Sequence, residues 1–545
     1  MIRITDLTLP LDHPEAALRQ AILQRLGIAA HELDGFTVFK RSHDARRRHG
    51  GISFVYVIDV SARHESAILA RLASDRQVRP APDTRYHPVG HAPPGLSHRP
   101  VIVGLGPCGL FAALILAQTG FRPIVLERGR EVRRRTQDTW GLWRRGVLDP
   151  ESNVQFGEGG AGLFSDGKLY SQIKDPQFLG RKVMQEFVRA GAPPEILYLS
   201  KPHIGTFRLT GVVARMREEI IALGGEVRFE SKVSGFLIES GQMHGVRLAD
   251  GTVLHSRHVI LAPGHSARDV FRQLAAQGVH LEPKPFSIGF RIEHPQSQID
   301  RARLGAQAGH PALGAADYRL VHHARNGRDV YSFCMCPGGT VVAAASEAGH
   351  LVTNGMSQYS RNERNANSAI VVGVSPERDF PGGALAGIEL QERLEAQAFE
   401  LGGANFHAPA QRVDDFLRGM PSTALGEVQP SYTPGVKLTD LSNSLPKEAI
   451  DAIREALPAF ARQVRGFDRP DAVLTAVETR TSSPVRISRD PHTLQSLNVH
   501  GLYPGGDGAG YAGGILSAGV DGIRLAEAVT RELLAGSELA SAANE

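Results

Sequence analysis

The stretch 101–127, VIVGLGPCGLFAALILAQTGFRPIVLE, decides how the chain folds. Val101, Ile102 and Val103 form a short β-branched run, the pattern of a buried parallel strand. Gly104, Gly106 and Gly109 follow at the GxGxxG spacing. In that arrangement the first glycine permits a tight turn, the second lets backbone approach a pyrophosphate, and the third lets the next helix lie close to the strand. Residues 110–118 are good helix formers closed by Gly120, and a phosphate would sit on the N-terminus of that helix. Ile124, Val125 and Leu126 restore strand character. Glu127 stands 18 positions beyond Gly109, close to the ~20 at which an acidic side chain meets ribose hydroxyls. An acid there repels a ribose 2′-phosphate, so the unit predicts FAD or NAD as its occupant and not NADP.

Residues 101–121 also contain no charge and are long enough to cross a bilayer. A glycine-proline turn early in the stretch speaks against insertion, and no membrane is expected. The 545 residues are 42% hydrophobic and 22% charged, as in globular proteins, and the length suits about three domains. A net charge of +4 is mild and does not by itself imply a polyanionic partner. Cys108, Cys334 and Cys336 are too few for a disulfide framework. Residues 1–20 lack the basic-then-apolar order of a secretory signal, so a cytoplasmic location is expected.

Working outward, residues 1–82 read as a small ferredoxin-like α/β domain: strand 2–9, helix 14–26, strands 36–41 and 52–60, helix 65–73. Between its inner strands Lys40, Arg41, Arg46, Arg47, Arg48 and His49 make a basic stretch. It reads as a solvated hairpin or as a docking surface for phosphate, nucleic acid or a partner protein. Residues 83–98 are a Pro-, Gly- and His-rich linker. Residues 99–284 are the first part of the dinucleotide-binding domain. Within them, 130–146 is a basic helix carrying Arg133, Arg134, Arg135, Trp140 and Trp143, its charges expected on a solvated face. Residues 151–169, ESNVQFGEGGAGLFSDGKL, formally repeat GxGxxG at Gly157, Gly159 and Gly162, but no apolar strand leads in and no helical run follows. They predict a glycine-dense loop packed against a flat ring system, or else an ordinary surface loop. A helix at 212–223, strands at 226–229, 233–239 and 243–248, and a later strand running into Ala262-Pro263-Gly264 complete this part. That last strand end is the carboxyl edge of a parallel sheet, where ligands bind.

Residues 285–480 change character. Strands at 286–293, 329–335, 340–345 and 369–374, with helices at 385–401 and 447–463 and no glycine fingerprint, predict an inserted α+β substrate or cap domain. Residues 354–368, dense in Asn, Ser and Arg, read equally as a solvated loop or a polar substrate pocket. Residues 481–545 return to the dinucleotide domain through a strand at 499–503, PGGDGAGYAGG, and a helix at 515–534. Asp507 can there accept a hydrogen bond from a sugar-alcohol hydroxyl, while the helix start faces phosphate or a flavin carbonyl.

Four separated pieces agree in order: GLGPCG with Glu127, the strands around Val233, LAPG at 261–264, and GLYPGGDGAG at 501–510. Together they resemble FAD proteins of the glutathione-reductase structural class, which implies an α/β fold with a Rossmann-type FAD-binding domain. More narrowly, the N-terminal unit, NVQFGEGGAGLFSDGKL, FCMCPGGTVV, NGMSQYSRNERNANSA and ETRTSSPVR resemble a bacterial family of FAD-dependent dehydrogenases over nearly the whole chain. The resemblance implies non-covalent FAD. It implies that Gly104, Gly106 and Gly109, with Pro107 and Cys108, cradle the pyrophosphate. Glu127, with Arg128 beside it, would hold the adenosine ribose, and backbone at Val233 would meet the adenine. Ala262 and Gly264 would border the cofactor, Gly506 and Asp507 the ribityl chain, and Gly513, Gly514 and Ile515 the pyrimidine edge. The disulfide reductases of that class carry a CxxxxC pair after the first helix and a second nucleotide fold. This chain has neither, which argues against direct reduction by a docked nicotinamide.

Cys334 and Cys336 form CxC, whose side chains share one face of a regular strand. Packing, redox or nucleophilic use, and metal binding are the alternatives, and no convincing set of further metal ligands stands nearby. Arg480, Ser482, Ser483 and Arg486 precede the returning strand, over the flavin, where an arginine could bind a carboxylate substrate; a loop tied down by Pro484 is the alternative. Lys168 and His203 are acid/base candidates. The catalytic set expected is thus Lys168, Arg480, Ser483 and Cys336, with no metal. An FAD-dependent dehydrogenase of a small organic substrate is the function expected. The alternatives are a flavin-dependent RNA-modifying enzyme that grips its polyanion through the basic N-terminal unit, and a protein using FAD structurally. Neither substrate nor oligomeric state follows from these residues.

Overall fold

Very short apolar runs build the central sheet. Val101–Val103, Ile124–Leu126, Val259–Leu261 and Leu502–Pro504 pair in parallel, with Glu226–Arg228 at one edge, in the spatial order 502–504, 259–261, 101–103, 124–126, 226–228. Parallel strands covered on both faces need apolar side chains throughout, and the four inner runs supply them. The computed structural model describes residues 1–45, 51–96 and 98–542; Arg46, Arg47, Arg48 and His49 lie outside them. Of the three short strands read at 226–229, 233–239 and 243–248, Glu226–Arg228 joins the parallel sheet, while the other two pair antiparallel with each other. The returning strand is Leu502–Pro504, shifted from the expected 499–503.

The charge-free helix is Pro107–Gln118, with every residue from Cys108 to Ala117 buried. It is enclosed by the sheet, by helix Thr206–Ala222 and by the C-terminal helix Ile515–Ala542. Its lack of charge therefore reflects a protein interior, and no helix among the described residues is long and apolar enough to cross a membrane. The C-terminal helix crosses it closely at Gly522, where an added Cβ would lie 2.1 Å from the Cys108 carbonyl oxygen. Helix Leu179–Arg189, absent from the sequence reading, packs on the same C-terminal helix.

The N-terminal unit is an antiparallel sheet ordered Leu33–Asp44, Ser53–Ala62, Ile2–Pro10, Val78–Pro80, with helices Glu15–Leu26 and Glu65–Arg71. Ser53–Ala62 alternates buried and half-buried residues along its whole length, as a strand with one core face must. Arg41, expected in a solvated hairpin, lies in Leu33–Asp44. Its backbone pairs with the main body, Arg41 N to Tyr198 O at 2.6 Å and Ser200 N to Arg41 O at 2.9 Å.

Leu281–Pro283 and Val485–Ile487 pair antiparallel and form a neck through which the chain leaves and re-enters. Beyond it stands an eight-stranded sheet, ordered Val321–His323, Asp329–Ala343, Asn365–Val374, Phe286–Pro295, Val473–Glu478, Ala408–Arg412, Val436–Leu438, with Thr353–Ser357 on the free part of Asp329–Ala343. Two expectations change here. The strands expected at 329–335 and 340–345 are one long strand, its register broken between Phe333 and Cys336 and again before Gly339. Residues 354–368 are largely sheet, because their polar side chains find buried partners: Asn365 donates to Glu293 at 2.9 Å, and Asn367 and Asn354 accept from Arg291 at 3.2 and 3.0 Å.

Candidate functional site

The loops after Val103, Leu126, Leu261 and Pro504 all leave the carboxyl ends of the parallel strands, the edge where open α/β sheets bind ligands. They converge on one cleft of about 390 Å³. Gly104, Gly106, Pro107, Cys108, Glu127, Arg128, Val233, Ala262, Gly264, Gly506, Asp507, Gly513, Gly514 and Ile515 all border it. Gly109 does not. A Cβ there would lie 1.9 Å from the Gly104 carbonyl oxygen, so this residue closes the helix against the turn from behind.

The turn itself is built from backbone. Gly104 has φ +100, and an added Cβ would stand 2.2 Å from the Ala262 carbonyl oxygen. Gly106 has φ −74 and only Gly160 Cα within 4 Å of an added Cβ, at 3.7 Å, which leaves its cleft side open. Buried Glu127 accepts hydrogen bonds from Leu105 N, Gly129 N and Gly157 N, each at 2.9 Å. One carboxylate thus ties the first glycine turn to the second glycine loop. Arg135, expected on a solvated face, is fully buried and holds that loop from beneath, donating to the carbonyls of Asn153, Val154, Gly157 and Glu158 at 2.6 to 3.2 Å. The loop 151–169 packs backbone to backbone on the first turn and lines the cleft from Gln155 to Lys168.

Beyond the turn, the long strand and its neighbours close the far wall with Phe333, Cys334, Asn354 and Glu478, facing Asp166, Lys168 and the start of helix Ile515–Ala542. Lys168 donates to the Met335 carbonyl and stands 3.6 Å from Asp166. Burial works against its charge, but Asp166 and the two cysteine sulfurs hold the ammonium above its usual range. Asp166 also accepts from Arg361 at 2.9 Å. Burial pushes the Glu478 carboxyl up to about 7, against the pull of the buried Arg291 guanidinium 2.9 Å away.

Arg480 borders the cleft with its guanidinium fully engaged: Nε and Nη2 on Glu395 at 3.0 and 2.8 Å, Nη1 on Ser266 and Ser346 at 3.0 and 2.6 Å. Glu395, fully buried, also takes Arg268 at 2.8 Å. This knot joins the loop after Leu261 to helix Ala386–Leu401. Ser483 is buried away from the cleft wall, donating to the carbonyls of Val485 and Gly508 at 2.7 and 3.1 Å. Cys336 lies behind the wall and Cys334 in it. His203 stacks on Tyr359 at 5.3 Å. Asp507 meets His265, which the sequence reading passed over. Arg135 and Glu478 were also unmarked as site residues, whereas Asn354 opens the stretch read as a solvated loop or a polar pocket. Glu478 had a local signal, a carboxylate ending an apolar strand next to Thr479-Arg480.

The family described as FAD-dependent protein, C-terminal domain-like, matches residues 285–481, and a domain of unknown function matches residues 1–61. An uncharacterized protein of Clostridium beijerinckii is 46% identical over 528 residues, which cover 96% of this chain and 98% of that one. Among solved structures, the halogenase PltM aligns over 81% of this chain and 70% of its own, with TM-score 0.37 and 12% identity. The glycine oxidase of Bacillus cereus aligns over 80% and 97%, with TM-score 0.31 and 11% identity. CtdE in complex with FAD aligns over 79% and 83%, with TM-score 0.30 and 13% identity. These are slight overall likenesses. The cofactor is FAD: the matched family depends on it, and the open backbone at Gly106 beside a helix N-terminus and a buried acid fits its diphosphate and ribose.

Proposed function

We propose that this chain, which belongs to the family of the Clostridium beijerinckii protein and uses FAD, is a flavoprotein oxidoreductase acting on a small organic substrate. Residues 99–284 and 481–545 act as a Rossmann-type FAD-binding domain, 285–480 as an inserted substrate domain, and 1–82 as an appended ferredoxin-like unit. The observation that carries this reading is the continuity of one cleft, from the glycine turn at 104–109 to a wall built by the inserted sheet.

Bound FAD supplies the electron-pair chemistry, and the protein supplies position and charge. Gly104, Gly106 and the start of helix Pro107–Gln118 hold the diphosphate. Glu127 holds the adenosine ribose with the one Oε2 lone pair that its three backbone donors leave over, and Val233 borders the adenine. Asp507, oriented by His265, holds the ribityl chain. Gly513 to Ile515 present helix N–H groups, whose partial positive charge favours an anion. Lys168 and Glu478 both border the cleft where the substrate would lie. Glu478, both of its oxygens taken by Arg291, fixes that guanidinium in the wall, and Lys168 attracts a negatively charged group on the substrate. Arg480, with each guanidinium nitrogen bonded to Glu395, Ser266 or Ser346, positions the wall.

The purified protein is expected to be yellow and to release FAD on denaturation. An anaerobic metabolite screen, read as flavin bleaching, is expected to find organic acids, amines or unsaturated compounds that reduce it. A colourless protein that takes up no FAD would overturn the reading. Flavin that dithionite cannot reduce would instead favour structural use of FAD.

A further inference from the structure

We propose that Cys334 and Cys336 form a redox-active dithiol at the inner end of the cleft, which closes to an intramolecular disulfide by passing its electron pair to the flavin. The inference rests on the FAD reading above and adds a second redox centre to the same site.

The geometry begins with the strand. Between Phe333 and Cys336 the long strand advances three residues while its partner moves two, from Ala369 to Asn367; one extra residue is a β-bulge. Cys334 takes φ +43, in the left-handed region that a residue with a side chain rarely adopts. As a result Phe333 and Cys334, neighbours that would face opposite ways in a regular strand, both border the cleft. A regular strand would also hold residues i and i+2 about 6.6 Å apart at Cα, near the ~6.8 Å limit for a disulfide. Cys336 Sγ already reaches back toward Cys334, donating to its carbonyl oxygen at 3.3 Å.

Two ion pairs, Lys168 with Asp166 and Arg291 with Glu478, turn their cations toward the cysteines. Lys168 donates to the carbonyl of Met335, the residue between the two cysteines, and Arg291 Nη1 donates to the Cys334 carbonyl at 2.8 Å. The hydrogen bond from Cys336, then Arg291 and Lys168, hold the Cys334 thiol well below its usual range against the effect of burial, while Cys336 is pushed well above. One sulfur is thus a ready nucleophile and the other a partner that keeps its proton, the asymmetry found in thiol-disulfide pairs. Among the described residues no group of three or more His, Cys, Asp or Glu gathers to hold a metal.

Cys334 reacts as the thiolate and Cys336 as the thiol: the Cys336 S–H bond is lost and one S–S bond forms, and the two electrons and one proton that leave the sulfurs pass to the oxidised isoalloxazine, giving its fully reduced anion. Opening the disulfide runs the same balance backward.

The test uses the full-length protein, with and without FAD. After exposure to oxidised dithiothreitol and alkylation of free thiols, the wild-type peptide spanning both cysteines is expected two hydrogens lighter and unalkylated; Cys334→Ser and Cys336→Ser are expected to lose the bridge. In anaerobic dithionite titration of pre-oxidised holoprotein, wild type is expected to consume twice the reducing equivalents per flavin that Cys336→Ser consumes. Failure of the bridge to form in a flavin-loaded protein, or equal consumption by both proteins, overturns the dithiol and leaves the oxidoreductase reading intact. Absence of flavin with the bridge present overturns the proposed function instead.

Discussion

Gly106→Asp is expected to separate the fold from its cofactor. An added Cβ at Gly106 meets only Gly160 Cα, at 3.7 Å, and its φ of −74 suits any residue. The apoprotein should therefore lose no more than about 1 kcal/mol, as at ordinary exposed positions. The new carboxylate would enter the cleft beside the diphosphate. A like charge about 4 Å away costs roughly 1 kcal/mol in water-like surroundings and roughly 4 kcal/mol where solvent is largely excluded. At about 1.4 kcal/mol per tenfold, FAD affinity should fall roughly 5- to 1000-fold. Gly104→Ala gives the contrast. With φ +100 and a Cβ placed 2.2 Å from the Ala262 carbonyl oxygen, it must displace the strand end of Val259–Leu261 and destabilise the apoprotein itself by about 2 kcal/mol or more. Thermal unfolding of the apoproteins by circular dichroism, paired with FAD titration by flavin fluorescence, reads both effects. Wild-type FAD affinity in Gly106→Asp would refute the diphosphate assignment. Equal destabilisation of the two apoproteins would refute the steric reasoning.

Glu395→Gln strips the charge partner from two buried arginines, Arg268 and Arg480, and should cost about 3–5 kcal/mol in denaturant unfolding; a loss below 1 kcal/mol would show that the knot is replaceable. The same residue sets an acid limit. Burial opposes its charge, yet Arg480 and Arg268 hold its carboxyl down to about 2, from 4.5. A depressed carboxyl stabilises the fold above pH 4.5, and that stability drains away as the pH falls toward 2, by about 3 kcal/mol. Stability measured across that window should fall less in Glu395→Gln than in wild type. Arg135→Met removes the donors to four loop carbonyls and should speed amide hydrogen exchange across residues 151–169; the exposed Arg133→Met should leave it unchanged. Lys168→Met should shift the pH midpoint of Cys334 alkylation upward, because an ammonium that favours the thiolate is gone. An unshifted midpoint would place Lys168 outside the thiols' field.

The nucleotide unit was legible because its signals are local. Three consecutive β-branched residues, glycines at fixed intervals and an acid 18 positions on each describe backbone within one turn or strand. Chain order then brought Ala262, Asp507 and Ile515 to the same edge, since parallel strands all present their carboxyl ends there. The Arg135 reading failed for the opposite reason. A run of three arginines on one helix says nothing about which one turns inward, and only the carbonyls of 153–158 beneath it give the third a buried place. The polar stretch 354–368, read equally as a solvated loop or a polar pocket, could not show that Asn367 and Asn365 would meet Arg291 and Glu293 of another strand while Asn354 borders the cleft.

By itself the sequence determined the cofactor half of this protein, where glycine conformation, helix termini and strand ends act over a few residues. The tertiary structure alone decided the wall that the inserted sheet builds. There a bulge turned Cys334 rather than Cys336 to the cleft, Glu395 occupied the guanidinium that a substrate was expected to meet, and Arg291 reached from a neighbouring strand to the far wall. Side-chain pairing across strands hundreds of residues apart depends on register and burial, and neither is written in the spacing of one segment.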